Sequence, residues 1–69
     1  MRIIPKTIKG VEVKAIGEYA FYYKGLNSVK IPDTVKEIGD LAFNSNNLGF
    51  VTIPDSVEKI GDGAFKEAG

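Results

Sequence analysis

The chain has 69 residues, enough for one small domain, and its nine basic and nine acidic residues cancel and are interspersed, which favours neither nucleic acid nor an anionic membrane as a partner. It has no Cys and no His, which removes disulfides, thiolate metal sites and the usual general base of catalytic triads. No apolar run approaches the roughly 20 residues that span a bilayer, and no signal peptide is evident. We therefore expect no enzyme activity, no cofactor, no metal site, no nucleic-acid partner and no membrane insertion.

Residues 1–12 are predicted to form an irregular lead-in segment. Pro5 lies 11 residues before Ile16, whereas the equivalent Pro32 lies six residues before Ile38. The register that the rest of the chain follows is therefore broken within this segment.

A repeat of 22 residues occupies the remainder of the chain. The segment from Val29 to Phe43 recurs from Val51 to Phe65, and its second half also occurs once earlier, ending at Phe21. These offsets predict a partial first repeat over residues 13–28, a second over 29–50 and an incomplete third over 51–69. Because a repeat buries its faces only against its neighbours, residues 1–69 are expected to form a single domain.

The first part of each complete unit is predicted to be a strand with one buried face. Apolar residues alternate with residues expected to face outward, which is the period of a half-buried strand. The apolar residues are Val29, Ile31, Val51 and Ile53, and the outward-facing ones are Ser28, Lys30, Phe50 and Thr52. Proline follows and ends each strand, because it fixes φ and lacks a backbone N–H group.

The second part of each unit is predicted to bend at a glycine and continue as a short helical turn that ends in Ala-Phe. An acidic residue (Glu18, Asp40 or Asp62) follows the glycine, where it would cap the first helical turn. A calcium ladder is the alternative for these acids. It is disfavoured because calcium needs about six to eight converging oxygens and successive repeats hold their acids one repeat apart.

One aromatic position recurs in all three units. Phe21, Phe43 and Phe65 are predicted to stack on one another, joined in the core by Leu26 and Leu48.

The string Leu-x-x-Val-x-Ile-Pro-x-x-Val-x-x-Ile-Gly-x-x-Ala-Phe runs from Leu26 to Phe43 and again from Leu48 to Phe65. It resembles the BspA-type leucine-rich repeat of bacterial and protozoan surface proteins, in a 22-residue, asparagine-bearing variant. The resemblance implies an α/β solenoid, a right-handed coil of short parallel strands and short helical turns that is mostly β and loop. It also implies protein binding or adhesion in a secreted or cell-surface setting, and it supplies no catalytic residues.

Candidate partner-binding residues are the outward-facing strand residues, on the surface that leucine-rich repeats usually present to partners, and an aromatic cluster in the first repeat. Phe50 stands in the column of Ser28, where an exposed aromatic suits a binding anchor, although it could instead pack on the lead-in segment or a neighbouring chain. Tyr19, Tyr22 and Tyr23 either meet a partner or cover the first repeat. The predicted partner-binding set is Ser28, Lys30, Phe50, Thr52, Tyr22 and Tyr23.

The last repeat is predicted to expose an apolar edge with unpaired strand groups. Ile60, Ala64 and Phe65 are the candidate self-association residues on this edge. Two functions follow from the sequence: binding of an unknown protein partner, and self-assembly of a repeat array through its ends as a homo-oligomer.

Overall fold

A computed structural model describes residues 2–69, so the first residue of the lead-in segment lies outside the described residues. We divide the chain into layer 1 (2–25), layer 2 (26–47) and layer 3 (48–69). Residues 2–69 contain seven short strands: β1 (Arg2–Ile3), β2 (Thr7–Ile8), β3 (Val11–Glu12), β4 (Ala15–Ile16), β5 (Val29–Lys30), β6 (Glu37–Ile38) and β7 (Lys59–Ile60).

One parallel sheet joins the three layers in the order β4–β6–β7. Ile16 pairs with Ile38, and Ile38 pairs with Ile60. Equivalent residues 22 positions apart therefore lie beside one another in short parallel strands, as the resemblance implied. These strands lie after the proline of each unit, however, and not at the start of the unit where the sequence predicted them.

The lead-in segment contains a regular strand and an inserted hairpin. Arg2 of β1 pairs in parallel with Val29 of β5, an offset of 27 rather than 22 residues. The extra residues lie in the antiparallel hairpin of β2 and β3. Lys9 and Gly10 connect these strands with φ values of 53° and 80°, as a type I′ turn requires at both central positions.

Layer 2 forms the centre of the core because it is covered on both sides. Val35, Ile38 and Phe43 are at most 1% exposed. Phe43 lies between Phe21 and Phe65, with ring centroids 5.3 and 5.2 Å away and ring planes within 8° of parallel. The predicted aromatic stack is confirmed.

The predicted short helical turns are wrong, because no helix occurs in residues 2–69. Consecutive tight turns occupy residues 18–23, 40–45 and 62–67 instead. Tyr19, Leu41 and Gly63 share one column of the repeat and have φ values of 61°, 58° and 65°. This left-handed backbone interrupts any right-handed helix.

A backbone ladder between layers replaces the helical hydrogen bonds. The N–H of Tyr19 donates to the carbonyl of Asp40, and the N–H of Leu41 donates to the carbonyl of Asp62. The acidic residues that follow the glycine of each unit also form a hydrogen bond between layers, because Asp40 Oδ1 accepts from the N–H of Asp62 at 2.8 Å. This contact differs from the predicted capping of a helix by the acid that begins it.

The strand predicted at the start of the third repeat is also not formed. Residues 51–53 are irregular, and β5 pairs only with β1 in the described part of the chain. Gly49 has a φ of 72°, and the N–H of Phe50 turns back to the carbonyl of Leu48. Strand pairing from β5 therefore does not continue into layer 3 within residues 2–69.

A buried asparagine fastens layer 1 to layer 2. Asn46 Oδ1 accepts from the backbone N–H groups of Lys24 and Leu26 at 3.1 and 3.0 Å. Its Nδ2 donates to the carbonyls of Phe21 and Phe43 at 2.8 and 2.9 Å. One side chain thus satisfies backbone groups that would otherwise lack partners in the interior.

Candidate interaction surfaces

The predicted outward-facing strand residues lie on a surface that is only partly accessible. Lys30 is exposed between the buried Val29 and Ile31, so the predicted alternation is confirmed in layer 2. Ser28 is half-buried and Thr52 is exposed.

Phe50 is 87% exposed, so it does not pack on the lead-in segment. It lines a shallow groove of about 160 Å³ that also contains Leu48 and Phe65. A large apolar side chain with so much solvent contact adds little to the stability of the isolated chain.

Three tyrosines form a contiguous exposed cluster on layer 1. Tyr19 and Tyr22 meet edge to face at 5.3 Å, and Tyr23 lies 6.4 Å from Tyr22. Their exposed fractions are 50%, 42% and 76% for Tyr19, Tyr22 and Tyr23. The ring faces and hydroxyl groups of this cluster are accessible to a partner.

A further groove of about 400 Å³ was missed by sequence reasoning. It runs along the proline column, and its lining includes Ile3, Pro5, Lys30, Pro32 and Pro54. An ion pair of 3.3 Å between Lys6 Nζ and Asp33 Oδ1 borders it. The recurrence of Ile-Pro at three places in the sequence is the signal that could have indicated it.

The predicted self-association residues differ in accessibility. Ile60 is 49% exposed and Phe65 is partly buried against the core, whereas Ala64 is only 2% exposed. Ala64 is therefore a packing residue between layers 2 and 3, and its carbonyl accepts from the N–H of Phe43.

Residues 2–69 contain no group of three or more acidic, His or Cys side chains that could hold a metal ion. Over the same residues, no helix has the length and apolar character to cross a membrane.

A family model described as "BspA type Leucine rich repeat region (6 copies)" matches residues 4–68. The chain therefore belongs to this leucine-rich repeat family, as the repeat string predicted. No curated protein and no solved structure matches the chain. Leucine-rich repeats commonly mediate protein interactions, so the family suggests a protein-interaction repeat module.

Proposed function

We propose that the chain is a non-catalytic protein-binding module of adhesion type, on a secreted or cell-surface protein, and that its layers belong to a right-handed solenoid. The exposure of Phe50 carries this proposal. Its column contains a serine in the preceding repeat, so the fold does not require an aromatic there. Full burial of a phenylalanine against a partner contributes about 1.5 to 3 kcal/mol.

The tyrosine cluster supports the same function. Tyr19 and Tyr23 adopt left-handed backbone conformations that asparagine or glycine tolerates better than a bulky residue. Selection for stability alone would favour such replacements. Tyrosine is enriched in binding surfaces because it presents a large rigid area with only two side-chain torsions.

Affinity capture of cell-surface proteins with wild-type chain, Phe50→Ala and Val11→Ala tests the proposal. Val11 is 70% exposed on the inserted hairpin, so Val11→Ala removes an equally accessible apolar group elsewhere. We expect Phe50→Ala to weaken binding of the captured protein about tenfold or more, as for a residue central to an interface. We also expect Val11→Ala to bind as wild type and both variants to melt as wild type. Equal binding by all three chains would contradict the proposal.

Self-assembly through the ends of the solenoid is the second candidate, supported by the exposure of Ile60 on the last strand of the sheet. An unpaired strand edge with an exposed apolar residue favours association. In sedimentation experiments, Ile60→Ser should reduce the size of any oligomer, whereas Phe50→Ala should not. A wild-type chain that stays monomeric at millimolar concentration would rule this function out.

A further inference from the structure

We propose that copies of this chain stack head to tail, with the turn side of layer 3 in one copy against the turn side of layer 1 in the next. The inference deepens the self-assembly candidate and rests on it. The partner is a second copy of this chain because its two end surfaces match each other in register.

Hydrogen bonding in the turn ladder has a fixed direction. The N–H groups of one layer donate to the carbonyls of the following layer, from layer 1 to 2 and from layer 2 to 3. The layer 1 to layer 2 bonds are Tyr19 to Asp40, Phe21 to Ala42 and Tyr23 to Asn44, and the layer 2 to layer 3 bonds are Leu41 to Asp62, Phe43 to Ala64 and Ser45 to Lys66.

The two ends of the stack are left with complementary halves of this ladder. In residues 2–69, the N–H groups of layer 3 at Gly63, Phe65 and Glu67 donate to no acceptor. At the opposite end, the carbonyls of layer 1 at Glu18, Ala20 and Tyr22 accept no hydrogen bond from any of residues 2–69. The free donors lie on layer 3 and the free acceptors lie on layer 1. Two copies can therefore pair these groups only when layer 3 of one copy faces layer 1 of the other.

In the forward order, each free donor of layer 3 meets a free acceptor of the next copy at the spacing used inside the chain. The N–H of Phe65 would donate to the carbonyl of Ala20 in the second copy, as the N–H of Phe43 donates to the carbonyl of Ala64. The Phe21 ring of the second copy would then extend the aromatic stack beyond Phe65. The spacing inside the chain is 5.2 to 5.3 Å between ring centroids.

The glycine column permits this approach. A Cβ atom on Gly39 would lie 2.7 Å from the backbone nitrogen of Glu18, and one on Gly61 would lie 2.5 Å from that of Asp40. Layers therefore approach so closely at this column that only glycine fits. A Cβ atom on Gly17 would meet nothing within 4 Å, so layer 1 presents the same glycine surface with no layer against it.

The contact uses the turn side of layer 1, which is open to solvent. Ile16 is only 4% exposed, whereas Glu18 and Ala20 are exposed and Phe21 is partly exposed. A head-to-tail contact does not close on itself, so it produces a series of oligomers that lengthens with concentration.

Sedimentation velocity over a range of concentrations, on the 69-residue chain and two variants, tests the proposal. Gly17→Val adds bulk where the next copy would approach, and a Cβ atom at this position meets nothing within 4 Å inside the chain. Glu37→Val places the same side chain at an exposed position of β6 in the middle layer, away from both end surfaces, and serves as the control. We expect wild type and Glu37→Val to form oligomers that grow with concentration, and Gly17→Val to associate at least about tenfold more weakly.

Amide exchange provides a test that needs no variant. Exchange at the N–H groups of Gly63, Phe65 and Glu67 should slow as the concentration of wild-type chain rises. Oligomers that Gly17→Val leaves unchanged, with no added protection at these three amides, would overturn head-to-tail stacking and leave self-assembly standing. A wild-type chain that stays monomeric at millimolar concentration would overturn both.

Discussion

Layer 2 contacts layer 1 on one side and layer 3 on the other, and the two contacts share a backbone ladder but differ in side-chain hydrogen bonds. Towards layer 1, Asn46 bonds to the N–H of Lys24 and the carbonyl of Phe21, and Thr34 Oγ1 donates to the carbonyl of Val13 at 2.7 Å. Towards layer 3, the equivalent positions are Ala68 and Ser56. The buried Ser56 hydroxyl has no hydrogen-bond partner in the described part of the chain.

The repeat therefore sets how the layers are aligned with one another. A few side-chain hydrogen bonds set how strongly each pair of layers is held together. The parallel sheet and the phenylalanine stack pass through both contacts without a break. Over the described residues, strand pairing on the proline side joins only layers 1 and 2, through β1 and β5. We therefore expect layer 3 to detach from layer 2 more easily than layer 1 does.

Removal of the Asn46 amide should have the largest effect on stability. Asn46→Ala leaves backbone donors at Lys24 and Leu26 and carbonyls at Phe21 and Phe43 without their partner. Each unsatisfied buried group costs about 1 to 3 kcal/mol, so we expect a loss of about 3 kcal/mol or more in the free energy of unfolding. Urea denaturation followed by circular dichroism measures this loss.

Asn47→Ala is the matched control for that experiment. Asn47 is exposed, and its backbone N–H donates to the carbonyl of Leu26 within layer 2. Its replacement should change the free energy of unfolding by no more than about 0.5 kcal/mol. Equal losses for Asn46→Ala and Asn47→Ala would contradict the role assigned to the buried amide.

The glycine column gives the next largest effect. In Gly39→Ala the new methyl group meets the backbone of layer 1, and overpacking of this kind costs about 1 to 3 kcal/mol. In Gly17→Ala the methyl group meets nothing, so the monomer should unfold at the same or a slightly higher temperature. Thermal denaturation of both variants at low concentration measures the contrast, and similar melting temperatures would contradict the close approach of layers.

A gain in stability is expected from Ser56→Thr. Threonine occupies the equivalent position in layer 2, where its hydroxyl bonds to layer 1. The same side chain at residue 56 should bond to the carbonyl of Val35 and raise the free energy of unfolding by about 1 kcal/mol. Ser56→Ala is the control, and a Thr variant no more stable than the Ala variant would show that no such bond forms.

The repeat made the regular parts of the fold predictable. The spacing of Phe21, Phe43 and Phe65 predicted their stack, and the alternation around Lys30 predicted which side of β5 is buried. The helical turns were mispredicted because the glycine and Ala-Phe positions do not reveal the left-handed backbone at Tyr19 and its equivalents.

Other features depend on contacts between layers that no single unit contains. The role of Asn46 requires backbone groups from two layers, and the irregular course after Gly49 depends on a local turn that overrides the strand pattern. Among the candidate site residues, the sequence left open whether Phe50 is exposed or packs on the lead-in segment, and nothing in the repeat string distinguished buried Ala64 from exposed Ile60.

Native-state hydrogen exchange on dilute, monomeric chain tests most directly whether the two sides of layer 2 differ in strength. Phe21 and Phe43 occupy the same column, and their N–H groups make equivalent ladder bonds, to layer 2 and layer 3 respectively. We predict that the N–H of Phe43 exchanges faster than that of Phe21, because layer 3 opens first. Equal protection of the two amides, or slower exchange at Phe43, would contradict this difference.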